Sequence, residues 1–408
     1  MATPDPALPI GRRIQWYRER TGMSRPVMAG QLGKSVEWLK AVENGRLQVP
    51  RLPMLLRIAR VLELADLADL TGNGDAVPVR VFAGERHSAL AAVQAALTDY
   101  QITPTGRPVS VAHLALRLDQ AWHVRHSSAD HRTQLGALLP DLIRDAQRAA
   151  RTAPADERRG ARRVLSGVYA LADFYVAYQP APELVWMVAD RALTEAREAD
   201  DPYAVAGGAW AMVQALRDAG RWDEAVTLAA DAVHQLDPHL ESGAEDWRGM
   251  AGALEAEIAY VHARRGRAGL AWAHLERADA IARQLPEGYR HVQSSFSRPV
   301  MAAHATTLGV ELRRAGEALR AADAIDPDTI ASVPRRSRHL IEVARAHHQR
   351  EERHAVWALL DKAERTAGET IRYNGFAREM LLDLSARPPA GFRDDVRDLC
   401  RRVGLLAA

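Results

Sequence analysis

Apolar residues recur at three- and four-residue intervals along almost the whole chain, and that period limits it to helices. The stretches are rich in Ala, Leu, Arg and Glu, and Pro or Gly interrupts them roughly every fifteen to twenty-five residues. Period-two alternation appears only in VPVRVF, Val77–Phe82, just after the Gly-rich turn TGNGD. An all-α protein is predicted, with a boundary at residues 71–86. The 408 residues are 47% hydrophobic and 26% charged, an ordinary globular balance with material for more than one core.

The first 70 residues read as five short helices. IGRRIQWYRER is the first and ends at Thr21-Gly22. Ser24 suits the N-cap of the second, with Pro26 tolerated in its first turn. Gly33 closes that helix and Ser35 caps the third; LPMLLRIARVLEL and LADL complete the set. Helices this short bury no face alone, so they must pack as one bundle. With Leu39 and Val42 inward, the third helix turns Glu37, Lys40, Ala41 and Asn44 outward, and Val36 and Trp38 flank that face. Two helices joined by a short turn, the second presenting a free face, suit major-groove entry. Charge agrees: residues 1–72 hold eleven Lys/Arg against seven Asp/Glu, while the whole chain is only +2.

Residues 10–70 resemble the lambda-repressor-like helix-turn-helix domain of the bacterial Xre regulators. Ser24, Ala29, Leu32, Gly33, Ser35, Leu39, Val42, Glu43 and Gly45 carry the resemblance, followed by Pro50 and LLRIARVLEL. It implies that Arg25, Asn44 and Arg46 contact the DNA backbone and that Lys34 and Ser35 lie at the groove rim. Val36, Glu37, Trp38, Lys40 and Ala41 are then the candidates for base edges. Arg18 and Glu43 match a structural salt bridge. Glu37 equally suits a surface pair with Lys40, and Trp38 suits a wedge against the second helix or a neighbouring subunit.

Beyond residue 84 about fourteen helical segments are expected, many as antiparallel pairs. Gly220-x-Trp222-Asp223-Glu224-Ala225 is followed seven residues later by Ala232, and the spacing recurs as Gly266, Ala271, Ala278 and as Gly316, Ala321. In this reading Gly ends the first helix of each hairpin and Ala lets the second pack closely. The spacing resembles the tetratricopeptide repeat, although the intervals exceed that repeat's roughly 34 residues. An irregular helical solenoid is implied over residues 200–385. Xre-type heads on such bodies resemble regulators that answer intracellular peptide pheromones. Those relatives commonly clamp peptide backbone with Asn, whereas this chain has only Asn44, Asn73 and Asn374.

Around the turn QPAP, Phe174, Tyr175, Tyr178 and Trp186 are candidates to line an effector pocket, together with Trp210 and Trp222; core packing is the competing reading. HVRHSSADH gathers His123, His126, Asp130 and His131, but Ser127-Ser128 is expected to break the helix between them, and no metal or cofactor is assigned. No Gly-rich phosphate loop, nucleophile elbow, HExxH or Cys/His pairing is present, so no enzyme is expected. Cys400 is the only cysteine. No apolar run reaches the roughly eighteen residues of a membrane span, and MATPDPALPIGRR has no signal-type apolar region. A cytoplasmic location without membrane partners is expected.

The expected domains are 1–72, a helix-turn-helix head, 73–86, a linker, and 87–408, a tetratricopeptide-like body for dimerisation and effector binding. The expected function is a homodimeric transcriptional regulator on a palindromic double-stranded operator, its half-sites roughly 34 Å apart. Its effector would be a small molecule or peptide. The alternative is a scaffold whose repeats bind a protein partner.

Overall fold

The computed structural model describes residues 4, 8–45, 52–64, 68–71, 86–100, 102, 109–241 and 243–406. Among them every regular element is helical, with a helix-turn-helix unit at the N-terminus and a body of repeated helical hairpins. The chain divides into two compact units, Met1–Glu85 and Arg86–Ala408. The sequence stretches VPVRVF and TGNGD lie outside the described residues.

In the first unit α1 (Ile10–Arg20), α2 (Arg25–Leu32), α3 (Val36–Glu43), α4 (Leu52–Val61) and α5 (Ala68–Thr71) enclose one core. Ile14, Met28, Leu32, Leu39, Ile58 and Leu70 are fully buried in it. The caps are the expected ones. Ser24 Oγ accepts from Val27 N, and Ser35 Oγ accepts from Trp38 N at 3.1 Å. Gly33 turns the chain between α2 and α3 with φ +64°. Gly11 supplies a contact that spacing does not announce: a Cβ there would lie 2.2 Å from the Val42 carbonyl oxygen, so α1 meets the end of α3 only without one.

The second unit runs through α6 (Leu90–Leu97), α7 (Val111–Ser127), α8 (His131–Thr152), α9 (Arg158–Val176), α10 (Pro182–Glu198), α11 (Pro202–Asp218) and α12 (Trp222–Leu236). It continues through α13 (Glu245–Arg264), α14 (Ala268–Gln284), α15 (Arg298–Glu311), α16 (Ala315–Asp323), α17 (Val333–Gln349) and α18 (Arg353–Thr366). Three shorter helices end it: α19 (Gly368–Tyr373), α20 (Gly375–Ala386) and α21 (Arg393–Arg402). From α7 to α18 each helix packs on the next.

The hairpin turns share one backbone device. Gly220 and Gly266 sit at φ +78° and +73°, and the next residue in each case donates back into the last turn of the preceding helix, Arg221 to Leu216 and Arg267 to His262. Five residues on, Ala225 and Ala271 are fully buried. The third turn differs from the expectation. Gly316 lies inside α16, and Arg313 holds the left-handed position at φ +61°, with Arg314 donating to Gly309. Ala318, five residues after Arg313, is the fully buried alanine, while Ala321 is only half-buried. Gly309 permits that contact, since a Cβ on it would lie 2.9 Å from Ala318. Glu351 repeats the turn at φ +61°, with Val356 and Ala363 buried after it. Spacing does not mark these two turns, because a charged residue stands in the glycine position at a cost of about 1 kcal/mol, which packing offsets.

The body also closes on itself. The free N–H groups at the start of α8 point at Glu369 of α19, 237 residues away: Arg132 N donates to its Oε2 at 2.6 Å and Thr133 N at 3.2 Å. A carboxylate at a helix N-terminus satisfies orphan donors and the helix dipole together. At the end of α7, His126 Nε2 donates to the Val292 carbonyl at 2.7 Å, and its Nδ1 accepts from Ser332 and Ser295 hydroxyls. Early and late helices therefore share one interior. Glu369→Ala should lower the body's unfolding free energy by about 2 kcal/mol, read by urea titration; an unchanged midpoint would show that the cap contributes nothing.

Candidate nucleic-acid interface and effector site

The free face of α3 is held in place from beneath. Glu43, fully buried, accepts from Arg18 Nε and from Arg25 Nε, each at 2.6 Å. Arg18 Nη1 also donates to the Met23 carbonyl at 2.9 Å, so one carboxylate ties α3 to α1, to α2 and to the turn between them. The hydrogen bond to Glu43 raises the Arg18 guanidinium above its ordinary value. The pair implied by the resemblance, Arg18 with Glu43, is formed.

Arg25 takes a second place beside it. Arg25, expected to contact the DNA backbone, forms an internal ion pair with Glu43, and its side chain remains 32% exposed. Lys34, Ser35, Glu37 and Lys40 are exposed, while Val36, Trp38, Ala41 and Asn44 are half-buried. Val36 and Trp38 rest against the core of the head. Lys34 Nζ stands 5.7 Å from the Trp38 ring. Ser35 spends its hydroxyl on capping α3. Arg46 lies outside the described residues. Two lysines, one glutamate and the ends of Val36 and Ala41 thus form a small face of mixed charge.

The aromatic candidates separate in the body. Tyr175 is fully buried, and its hydroxyl is 2.8 Å from His87 Nδ1; it is core, not pocket wall. Trp210 is also buried, stacked on Phe174 at 5.8 Å between ring centroids. Its cavity, shared with Glu257, His304 and Arg335, measures about 10 Å³, room for one water. Trp186 is half-buried, with Arg221 at 5.5 Å from its ring, and Trp222 carries Arg264 in the same way at 5.3 Å. These four are packing elements because helical spacing puts aromatics inward regardless of ligand.

Tyr178 alone of these aromatic candidates is exposed. It is 54% exposed, holds φ +66°, and receives a hydrogen bond from Arg338 Nη1 at 3.1 Å. Arg132 lies 5.9 Å from its ring. A non-glycine in the left-handed region beside several cations is a strained position that surrounding structure must hold. The arginines about it were not legible in the sequence, because nearly every basic residue of the chain is arginine. A larger cleft of about 290 Å³ opens where α10, α11 and α12 meet, beside Arg197, Asp200, Asp201 and Asp231, and none of the predicted aromatics lines it.

The histidines of HVRHSSADH go to different partners. His126 bonds as described, and His131 Nε2 reaches Thr370 Oγ1 at 3.2 Å. Burial, then Arg125 and Arg290, hold His126 down at about 2. Burial, then Asp218, pushes the Asp173 carboxyl up to about 7. Among the described residues no group of three or more His, Cys, Asp or Glu is arranged to hold a metal ion.

Residues 9–71 match the family model described as a helix-turn-helix domain. No curated protein matches the chain. Among solved structures, a Rap protein complexed with competence and sporulation factor is 14% identical at a TM-score of 0.45, covering 73% of this chain and 89% of that one. Apo ComR of S. thermophilus is 12% identical at 0.32, covering 88% and 97%. ComR of S. thermophilus with DNA and its signalling peptide ComS is 14% identical at 0.26, covering 74% and 99%.

Two measurements check this geometry. Glu43→Ala leaves buried Arg18 with only the exposed Glu19 carboxylate and should destabilise the head by about 3 kcal/mol; a shift below about 1 kcal/mol would place the tie elsewhere. His126 sets a pH dependence. The unfolded chain takes this proton near 6.5 and the folded chain only near 2, so stability falls as pH drops below about 6.5, by about 1.4 kcal/mol per pH unit. Asp173 opposes it, since the folded carboxyl keeps its proton from about pH 7 downward. His126→Asn should flatten the acid loss by about one proton in urea titrations at pH 7, 6 and 5; parallel slopes would contradict the buried neutral imidazole.

Proposed function

We propose that the chain is an Xre-type transcriptional regulator, its head reading double-stranded DNA and its tetratricopeptide-like body binding an effector. The observation that carries the reading is the matched helix-turn-helix at residues 9–71, with α3 fixed by Glu43 and its Glu37–Lys40 face left to solvent. Shape and length suit the groove: α3 is one short helix following a tight turn at Gly33, with both N-termini capped by serine. Few side chains on that face can make bidentate bonds to bases, so the reading includes recognition through DNA shape and phosphate contacts.

The operator is palindromic in this account and the protein binds it as a homodimer, each head taking one half-site. The body is far larger than DNA binding requires, and its arginine-ringed Tyr178 is where the effector is assigned. Peptide and small molecule both remain within that assignment. The chain works without a cofactor, acts in the cytoplasm and catalyses nothing.

Fluorescence anisotropy on the protein's own upstream DNA against a scrambled duplex, over a salt series, tests the reading. A specificity of about a thousandfold is expected. Arg46→Ala should weaken binding evenly across sequences and reduce the salt slope by about one unit, whereas Glu37→Gln should change sequence preference. Equal weak binding to both duplexes, unaltered by dimer-promoting concentrations, would favour the body as a protein-binding scaffold.

A further inference from the structure

Three arginines of the body's interior are paired with carboxylates. Arg217 pairs with Glu257, Arg338 donates to Glu342 at 2.7 Å, and Arg345 bridges Glu342 and Glu311 at 2.6 and 2.9 Å. Three others do not. Arg125 of α7, Arg132 of α8 and Arg335 of α17 form no ion pair among the described residues. Nε and Nη1 of Arg125 and Nε of Arg132 are buried with no hydrogen-bond partner at all. Arg132 Nη1 and Arg335 Nη2 reach only carbonyls, those of Tyr175 and Ser294. Arg132 is buried and Arg125 and Arg335 are half-buried; Glu369 and Glu257 bear on the charge of Arg132 and Arg335 without bonding to their guanidinium groups, and guanidinium nitrogens kept from water without a partner are costly.

They are also neighbours. Arg125 stands 4.9 Å above the Phe174 ring, Phe174 stacks on Trp210, and Trp210 shares a cavity with Arg335. Arg132 lies over the rings of Tyr178 and Tyr373 at 5.9 and 5.3 Å. Tyr178 bears on the charge of Arg125, Arg132, Arg335 and Arg338 alike, and its exposure gives the group a route to solvent. Burial, with Arg132 and Arg335 as further causes, brings the Arg125 guanidinium down to about 9, so it is still charged at neutral pH. Planar guanidinium forks and a phenol hydroxyl match the oxygens of a phosphate or carboxylate.

We propose that the region bounded by Arg125, Arg132, Arg335 and Tyr178 is an oxyanion site that takes the phosphate or carboxylate group of a small ligand. It deepens the effector assignment above by naming the ligand's charge, and it rests on that reading for its regulatory meaning alone. The bound oxyanion replaces the missing carboxylate, and the closure between α7–α8 and α17 holds the three guanidinium groups ready for it.

Calorimetric titration of the full chain with inorganic phosphate, pyrophosphate and citrate, at matched ionic strength in sodium chloride, tests the site. Saturable binding is expected, weakened at least about tenfold in Arg125→Gln and in Arg335→Gln and retained in Arg221→Gln, whose guanidinium pairs with Glu224 at the surface. Thermal unfolding adds a readout that a structural role would not give. Without anion, Arg125→Gln should melt at or above the wild-type temperature, because it removes an unbalanced charge, and anion should raise only the wild-type midpoint. Preference for pyrophosphate over citrate assigns a phosphorylated ligand, and the reverse a carboxylate. No saturable binding to any probe, or binding indifferent to both substitutions, would overturn the proposal. Anion binding without any change in affinity for DNA would uphold the site and overturn its regulatory meaning.

Discussion

Glu369 is the interaction on which the body depends. A stack of hairpins joined only to sequence neighbours has two free ends and little reason to enclose anything. Here the carboxylate of a late helix completes the N-terminus of α8, and His126 fastens the end of α7 to Val292, Ser295 and Ser332. Both contacts are polar, directional and long in range, so their geometry is specific rather than merely adhesive. They bring Arg125 and Arg132 to the side of Arg335 and Arg338, and of these four only Arg338 forms an ion pair among the described residues. The neutral state of His126 is part of the same device, since its Nδ1 must stay an acceptor for two serine hydroxyls.

The head uses the same economy on a smaller scale. Glu43 sits at the end of α3 and gathers two arginines from the two preceding helices, fixing the orientation of a helix with only eight residues. A helix this short has no stable direction of its own. Using Arg25 in that tie leaves the outer face to Lys34, Glu37 and Lys40, a set suited to modest contacts on a groove already aligned by backbone interactions.

Local chemistry made the head readable before any coordinates. Serine caps, a left-handed glycine and apolar spacing are all short-range, and each of them lies where the sequence puts it. In the body the first two hairpin turns were readable for the same reason, through Gly220 and Gly266. The third and fourth were not, because Arg313 and Glu351 hold the left-handed turn against their own preference and Gly316 offered a false marker nearby. The proposed effector site was least readable of all. Tyr178 stood among the aromatic candidates, but spacing could not separate it from Tyr175 and Trp210, which point into cores. The arginines that distinguish it come from α7, α8 and α17, and no local pattern marks three out of so many as unpaired.

Closure of the body, in the proposal above, creates a place for an anion. Crystals of the full chain grown in selenate, measured at the selenium edge, test it most directly. The account predicts an anomalous peak within hydrogen-bonding distance of Arg125 Nε and of at least one of Arg132 and Arg335. A structure with no anion there, in which carboxylates of the chain itself neutralise those three guanidinium groups, would contradict it.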